Sequence, residues 1–168
     1  HALRLLGQGL RACKADPADL AARLDCQLGA WLSMVGSQNG VTKGASHGIG
    51  HVLGGTAGVA HGYTSCVMLP HVLRFNAQVA PEAYAELLPH VFPDLRAMNV
   101  ADAAMKFAQS MADLSKACGL EQGLREMGIA REALPKLARD AMNQTRLLVN
   151  NPRPVDEAAA MQIYEAAW

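Results

Sequence analysis

The chain has 168 residues, which is enough for one complete hydrophobic core. Apolar residues make up 51% of it and charged residues 18%, a balance typical of globular rather than disordered proteins. Basic and acidic residues are equal at 15 each, so the chain lacks the excess of basic residues that would indicate nucleic-acid binding. It also lacks an apolar run long enough to indicate a membrane-spanning helix.

Composition and hydrophobic periodicity both predict an all-α fold of about seven helices. Alanine, leucine and methionine are abundant while aromatic residues are only 5%, which favours helices over a sandwich or barrel. No stretch keeps the period of a strand for long, and neither a βαβ unit nor a G-x-G-x-x-G motif is present. We therefore expect one helical domain over residues 1–168.

The first two predicted helices cover residues 1–10 and about 17–36. The first begins at His1 without a capping residue, which suggests a chain cut from a longer protein, although a tag remnant would look the same. Asp16, as N-cap, and Pro17 predict the start of the second helix. Its apolar residues follow the 3.6-residue period and predict one buried face, made of Leu20, Leu24, Leu28, Trp31, Leu32 and Val35.

The polar segment 36–40 could be a helix connection or could face a cavity. Further helices are predicted over about 42–54, 61–76, 81–91, 100–118, 132–144 and 155–167. Pro70 should kink one of them, and Phe92 with Pro93 should end the next. Asp156 is a candidate cap for the last helix. The core stripe predicted for the helix over 100–118 consists of Ala104, Phe107, Ala108, Met111 and Leu114.

The cysteines predict free thiols. Cys13, Cys26, Cys66 and Cys118 are scattered, and none belongs to a C-x-x-C pair. In a chain of this size and type the pattern is typical of buried thiols in a reducing cytoplasm rather than of a disulfide framework. Cys66 lies near the histidines described next, so it could be a soft metal ligand or a small core residue.

Residues 44–62 hold three of the six histidines and form the candidate site. His47 and His51 are four positions apart, so on a helix they share one face, a spacing by which a helix presents two imidazoles to one divalent ion. Glycines at positions 54, 55 and 58 predict a helix end and a turn that brings His61 back toward the pair. The segment contains no carboxylate, which counts against a catalytic metal site, since such a site usually has three protein ligands or more. Ordinary surface or core histidines are the alternative interpretation of the pair.

These motifs resemble the iron-containing alcohol dehydrogenase family, whose superfamily includes the maleylacetate reductases. The resemblance rests on GASHGIGHVLGG at 44–55 and HGYTSCVMLPHVLRFN at 61–76. It continues through GLREMGI at 123–129, LPKLARDA at 134–141 and NNPRP at 150–154, so it covers nearly the whole chain. It implies that the chain corresponds to the all-helical C-terminal domain of that family.

The resemblance also implies a role for each histidine. His47 and His61 match two ligands of the family's metal, expected here to be Fe²⁺ or Zn²⁺. His51 matches the histidine near the nicotinamide and the substrate, so it is the candidate catalytic and cofactor-binding residue. The family's other two ligands, an Asp and a His, lie on an earlier helix that no segment before His47 resembles. We therefore expect half of the metal shell to be absent from this chain.

The activity implied by the resemblance is hydride transfer between an alcohol and a nicotinamide, with an aldehyde or ketone as the other substrate. NAD or NADP would be bound mainly by an N-terminal α/β nucleotide-binding domain of the same protein, expected to be absent from this chain, and the protein would be a cytoplasmic homo-oligomer. A maleylacetate reductase, which reduces a double bond conjugated to a ketone, is the alternative within the superfamily. A non-catalytic structural or partner-binding helical domain, with relict histidines, is the alternative from another class.

Overall fold

The computed structural model describes residues 1–91, 98–120 and 123–168, and every regular element in these ranges is helical. The α-helices are α1 (Ala2–Ala15), α2 (Leu20–Gln38), α3 (Ala45–Ala57), α4 (His61–Asn76), α5 (Pro81–Val91), α6 (Val100–Ala117), α7 (Leu134–Ala141), α8 (Thr145–Leu148) and α9 (Glu157–Ala167). A 3-10 turn at Arg131–Ala133 leads into α7. The all-α prediction is confirmed, and the break expected at Phe92 and Pro93 lies outside the described residues. Within the described ranges, no helix has both the length and the apolar character needed to cross a membrane.

Several helix ends form for the reasons that the sequence predicts. Gly58 ends α3 in the left-handed conformation, with φ +69°, and its N–H donates to the carbonyl of Leu53. Asp156 caps α9 by accepting a hydrogen bond from the N–H of Ala159 at 2.8 Å. α4 continues as one helix through Pro70, which is buried inside it. The segment 36–40 is the end of α2 and a turn, so the helix-connection interpretation is the one observed.

The predicted start of α2 is wrong. Asp19, not Asp16, is the N-cap, and its carboxylate accepts a hydrogen bond from the N–H of Ala22 at 3.0 Å. The carboxylate of Asp16 instead accepts from the N–H of Ala18 at 2.9 Å, within the turn between α1 and α2. Because the carboxylate of Asp16 is hydrogen-bonded within this turn, it does not cap α2, which begins at Leu20.

The predicted buried face of α2 is also wrong. Leu20 is 79% exposed and Trp31 68% exposed, and Leu24, Leu28 and Val35 are exposed as well, while Leu32 is half-buried. The buried residues of α2 are instead the small ones, Ala22 and Gly29. A Cβ on Gly29 would lie 2.8 Å from Cγ of Leu6, so α2 meets α1 at this glycine. Because the side of α2 that carries Gly29 packs on α1, the large apolar residues of α2 face solvent. Periodicity shows that these residues share one face of the helix, but it does not show whether that face is buried.

Two hydrophobic clusters form the interior of the described residues. The larger cluster joins α3, α4, α7 and α9, and the smaller one joins α4, α5 and α6. The predicted core stripe of α6 is largely confirmed, since Ala104, Phe107, Ala108 and Met111 are buried and Leu114 is half-buried. The larger cluster covers the inner face of α3, the helix that carries two of the candidate site residues.

Tyr164 anchors α9 to the centre of α3. Its side chain is completely buried, and its hydroxyl donates a hydrogen bond to the carbonyl oxygen of Ile49 at 3.1 Å. Burial, with a smaller contribution from the charge of Asp140, raises the pKa of Tyr164, so the hydroxyl keeps its proton and remains a donor. The contact fixes which face of α3 points inward.

Asn151 fixes the N-terminus of α3. Its amide oxygen accepts from the backbone N–H of Ala45 at 3.3 Å and from the side-chain amide of Asn76 at 3.0 Å. Its own NH₂ group donates to the side-chain oxygen of Asn76 at 2.7 Å and to the carbonyl of Arg153 at 2.7 Å. Because Asn76 ends α4, this buried network ties the start of α3 to the end of α4.

We predict that Tyr164→Phe destabilises the chain by about 1 kcal/mol, because the hydrogen bond to Ile49 is lost, and that Tyr164→Ala costs about 3–5 kcal/mol through the cavity it leaves. Urea unfolding followed by circular dichroism measures both. Tyr63→Phe is the matched control, since Tyr63 is 40% exposed. Equal effects of Tyr63→Phe and Tyr164→Phe would contradict the anchoring role.

A second prediction concerns His71, which is half-buried on α4. Burial, and then the charge of Arg74, lower the pKa of His71 to about 4 from an ordinary value of 6.5. The unfolded chain therefore binds this proton at higher pH, so the stabilising contribution is complete above pH 6.5 and is lost as the pH falls toward 4. We expect His71→Gln to make the free energy of unfolding less dependent on pH in this window. Unfolding curves at several pH values measure the slope, and an unchanged slope in His71→Gln would disprove the prediction.

Candidate metal centre

Three imidazole rings converge where α3 meets the start of α4. The ring centroids of His47 and His51 lie 4.2 Å apart, those of His47 and His61 5.2 Å, and those of His51 and His61 5.5 Å. One ligand nitrogen from each ring lies within 4.8 Å of those from the other two. In the part of the chain that the structure describes, this is the one group of three or more His, Cys, Asp or Glu side chains placed to hold a metal ion. All three histidines singled out in the sequence are therefore brought together.

The core fixes the direction in which α3 presents its histidines. The buried residues of this helix are Ala45, Gly48, Ile49, Gly50, Val52 and Leu53. His47 and His51, one turn apart, lie on the other side, where His47 is half-buried and His51 is exposed. The hydrophobic packing of the inner face thus places both rings at the surface.

His61 reaches the pair because α3 and α4 approach closely at Gly50. A Cβ on Gly50 would lie 3.1 Å from Oγ1 of Thr64 and 3.4 Å from Cβ of Thr64, closer than most side chains tolerate. Thr64 is completely buried, and its hydroxyl donates to the carbonyl of His61 at 2.7 Å across the first turn of α4. The absence of a side chain at Gly50 therefore sets how near His61 comes to His51.

The electrostatics of the cluster favour a neutral His47. Burial has the largest effect, followed by repulsion from His51, Lys43 and His61, and together they lower the pKa of His47 to about 4. At physiological pH the ring is therefore unprotonated and has a nitrogen lone pair. Neutral imidazole is the form that binds Zn²⁺ and Fe²⁺, so the donor chemistry fits either ion.

Cys66, the other candidate ligand, does not join this cluster. It lines a cavity of about 320 Å³ between α1, α4 and α6, together with Leu69, Met111 and Cys118 among others. Burial raises the pKa of Cys66, so the sulfur is a protonated thiol rather than the thiolate that a metal requires. The core-residue interpretation of Cys66 is the one that the structure supports.

Sequence patterns did not reveal two residues that position the site, Thr64 and Asn151. The contact from Asn151 to Ala45 joins residues 106 positions apart, and no local pattern reports such a contact. Thr64 follows His61 by three positions, and a threonine at that spacing can bond back to the preceding turn. That spacing was a usable signal, but its partner Gly50 became visible only when α3 and α4 were packed.

The whole chain, residues 1–168, matches the family model described as "Fe-containing alcohol dehydrogenase family, C-terminal". It is 30% identical over 99% of its length to long-chain-alcohol dehydrogenase 1 of Geobacillus thermodenitrificans, of which it covers 42%. It is 29% identical over all of its length to 1,3-propanediol dehydrogenase of Klebsiella pneumoniae, of which it covers 43%. It is 32% identical over 99% of its length to maleylacetate reductase of Burkholderia cepacia, of which it covers 43%. The chain thus spans less than half the length of these relatives.

Solved structures share the fold. The crystal structure of a 1,3-propanediol oxidoreductase superposes with a TM-score of 0.91 at 30% identity, over 99% of this chain and 43% of that one. An alcohol dehydrogenase from Oenococcus oeni superposes with a TM-score of 0.87 at 25% identity, again over 99% of this chain and 43% of that one. The helical arrangement that brings the three histidines together is therefore one that occurs within longer proteins.

We predict that Gly50→Ala weakens Zn²⁺ binding to the cluster roughly fivefold, about 1 kcal/mol, because the added Cβ pushes α4 and His61 away from α3. Gly55→Ala is the matched control on the same helix, since a Cβ there meets nothing within 4 Å. Both changes gain helix propensity, so a difference between them reports the contact with Thr64. Calorimetric titration measures the affinities, and equal values for the two variants would refute the explanation.

Proposed function

The chain belongs to the iron-containing alcohol dehydrogenase family, as its C-terminal helical domain, and on this premise we propose that it forms the metal- and substrate-binding side of the active site of an NAD(P)-dependent alcohol dehydrogenase. The observation that carries the proposal is the convergence of His47, His51 and His61, with a ligand nitrogen from each ring within 4.8 Å of the others. The substrate would be an alcohol, with the aldehyde or ketone as product. Two relatives, long-chain-alcohol dehydrogenase 1 and 1,3-propanediol dehydrogenase, are named as dehydrogenases of alcohols, which supports this proposal.

We assign His47 and His61 as ligands of Fe²⁺ or Zn²⁺. His47 is held by the packed inner face of α3, and His61 is held by the first turn of α4 through Thr64, so both rings are positioned before an ion arrives. Such preorganisation lowers the cost of ordering the ligands when the ion binds. When bound, the ion would supply a Lewis acid for the alcohol oxygen.

His51 has a different proposed role, as the catalytic and cofactor-facing residue. It lies one turn beyond His47 and is exposed, so its ring is accessible to a substrate or a nicotinamide ring. A neutral imidazole can accept the proton that the alcohol loses and pass it to solvent. Its position in the motif GASHGIGHVLGG at 44–55 supports this division of roles.

We further propose that NAD or NADP is bound mainly by a nucleotide-binding domain of the same protein. The relatives are more than twice as long as this chain, which covers 42–43% of them. His51 and His61 are exposed here, so a second domain placed over them would exclude water from the reacting atoms. That domain is therefore the proposed partner of the histidine cluster.

A maleylacetate reductase is the second candidate. The chain is 32% identical to maleylacetate reductase of Burkholderia cepacia and 30% identical to long-chain-alcohol dehydrogenase 1, so it is about equally similar to both. The two activities differ in substrate, since one reduces an aldehyde or ketone and the other a double bond conjugated to a ketone. Turnover by the alcohol dehydrogenase is expected to require the metal, whereas turnover by the maleylacetate reductase is expected not to require it.

We predict that the 168-residue chain alone gives no NAD-dependent alcohol oxidation, whereas a family-length protein that carries it does. Activity of the longer protein should be lost with a chelator and restored by Fe²⁺ or Zn²⁺. Absorbance of NADH or NADPH, followed with short alcohols and separately with maleylacetate, measures both reactions. Turnover by the isolated chain would show the assignment of the nucleotide domain to be wrong, and chelator-resistant reduction of maleylacetate alone would favour the second candidate.

A further inference from the structure

A pair of thiols joins α1 to α2. Sγ of Cys13 lies 3.8 Å from Sγ of Cys26, across the interface between the two helices. Both side chains are half-buried and both thiols are free. Gly9, one turn before Cys13, allows this approach, since a Cβ there would lie 3.0 Å from Sγ of Cys26. The cysteines that are thirteen positions apart in sequence are thus in sulfur–sulfur contact.

We propose that Cys13 and Cys26 are a redox site, which a low-molecular-weight disulfide such as glutathione disulfide converts to a reversible intramolecular disulfide. The sulfurs already touch, so rotation of the two side chains can close the remaining gap to a bond of about 2 Å. The pair takes no part in the histidine cluster, so the proposal does not depend on the metal centre or on the alcohol dehydrogenase activity.

The two thiols are open to a small oxidant. They line a surface pocket of about 350 Å³, together with Leu10, Pro17, Arg23 and Gln27. The pocket opens to solvent, so a small disulfide such as glutathione disulfide can reach the sulfurs. A disulfide that forms under cytoplasmic conditions is usually transient and redox-sensing, which is the kind of site proposed here.

The reaction consists of two exchanges. Burial, and then the hydrogen bond with Cys13, raise the pKa of Cys26. In the first exchange, the thiolate of Cys13 attacks one sulfur of glutathione disulfide. The attack forms a mixed disulfide at Cys13 and releases one glutathione thiolate, which takes up a proton. Cys26 then loses its proton and attacks Sγ of Cys13, which forms the protein disulfide and releases the second glutathione. Two protein thiols are oxidised and one glutathione disulfide is reduced to two thiols.

The disulfide would fix α2 in place. α2 packs mainly on α1, and its large apolar residues face solvent, so α1 is the element that holds it. A covalent bond between the two helices prevents the hairpin that they form from opening. Oxidation should therefore slow amide hydrogen exchange in α2 without changing exchange in α3 or α4.

The test is incubation of the purified chain with glutathione disulfide, followed by thiol titration, intact mass and peptide mapping under non-reducing conditions. We expect the free thiols to fall from four to two, the mass to fall by two hydrogens, and the linked peptides to contain Cys13 and Cys26. Excess dithiothreitol should restore four thiols and the faster exchange of α2. Cys118→Ser is the matched control and should still form the link, whereas Cys13→Ser and Cys26→Ser should not.

Three results would overturn the proposal: four thiols remaining in the wild type, stable glutathione adducts without a link, or a link that includes Cys66 or Cys118. Circular dichroism of each variant checks that it folds. If a serine variant does not fold, peptide mapping of the wild type decides the outcome by itself, because it identifies the linked residues directly.

Discussion

The close contact between Gly50 and Thr64 is the constraint on which the candidate site depends. α3 brings His47 and His51, and α4 brings His61, so the cluster exists only while the two helices stay at this separation. A side chain at Gly50 would occupy the space that Thr64 fills, 3.1 Å from its hydroxyl oxygen. The same hydroxyl bonds to the carbonyl of His61, so one contact sets both the spacing of the helices and the first turn of α4.

Contacts from the end of the chain hold α3 in position. Tyr164 bonds to Ile49 at its centre, and Asn151 bonds to Ala45 at its N-terminus. Both contacts are buried, while His51 is exposed. These contacts hold α3 with its histidine face outward, and partial burial of the His47 ring keeps that ring neutral by lowering its pKa. The relatives are more than twice as long as this chain, and the proposed nucleotide-binding domain would cover this open face.

Much of the fold follows from local patterns in the sequence. Helix periods, the left-handed Gly58 and the capping Asp156 are local features, and each was predicted. The exposed apolar face of α2 was not, because periodicity locates a stripe without identifying the surface that covers it. The i, i+4 histidine pair was also local, but Thr64 and Asn151 act through distant partners. The same limit applies to the cysteines, since Cys13 and Cys26 look scattered in sequence and only the packing of α1 on α2 brings them into contact.

The assignment of roles within the cluster is the central claim, because all three rings are close enough to bind one ion. Calorimetric titration of Zn²⁺ into the chain and into His47→Ala, His61→Ala and His51→Ala tests it most directly. Two histidines give fewer ligands than a stable zinc site, so the account predicts weak binding that falls at acidic pH. It predicts that binding is abolished in the His47 and His61 variants and kept in the His51 variant. Equal loss of affinity in the His51 and His47 variants would contradict the account and would make His51 a ligand.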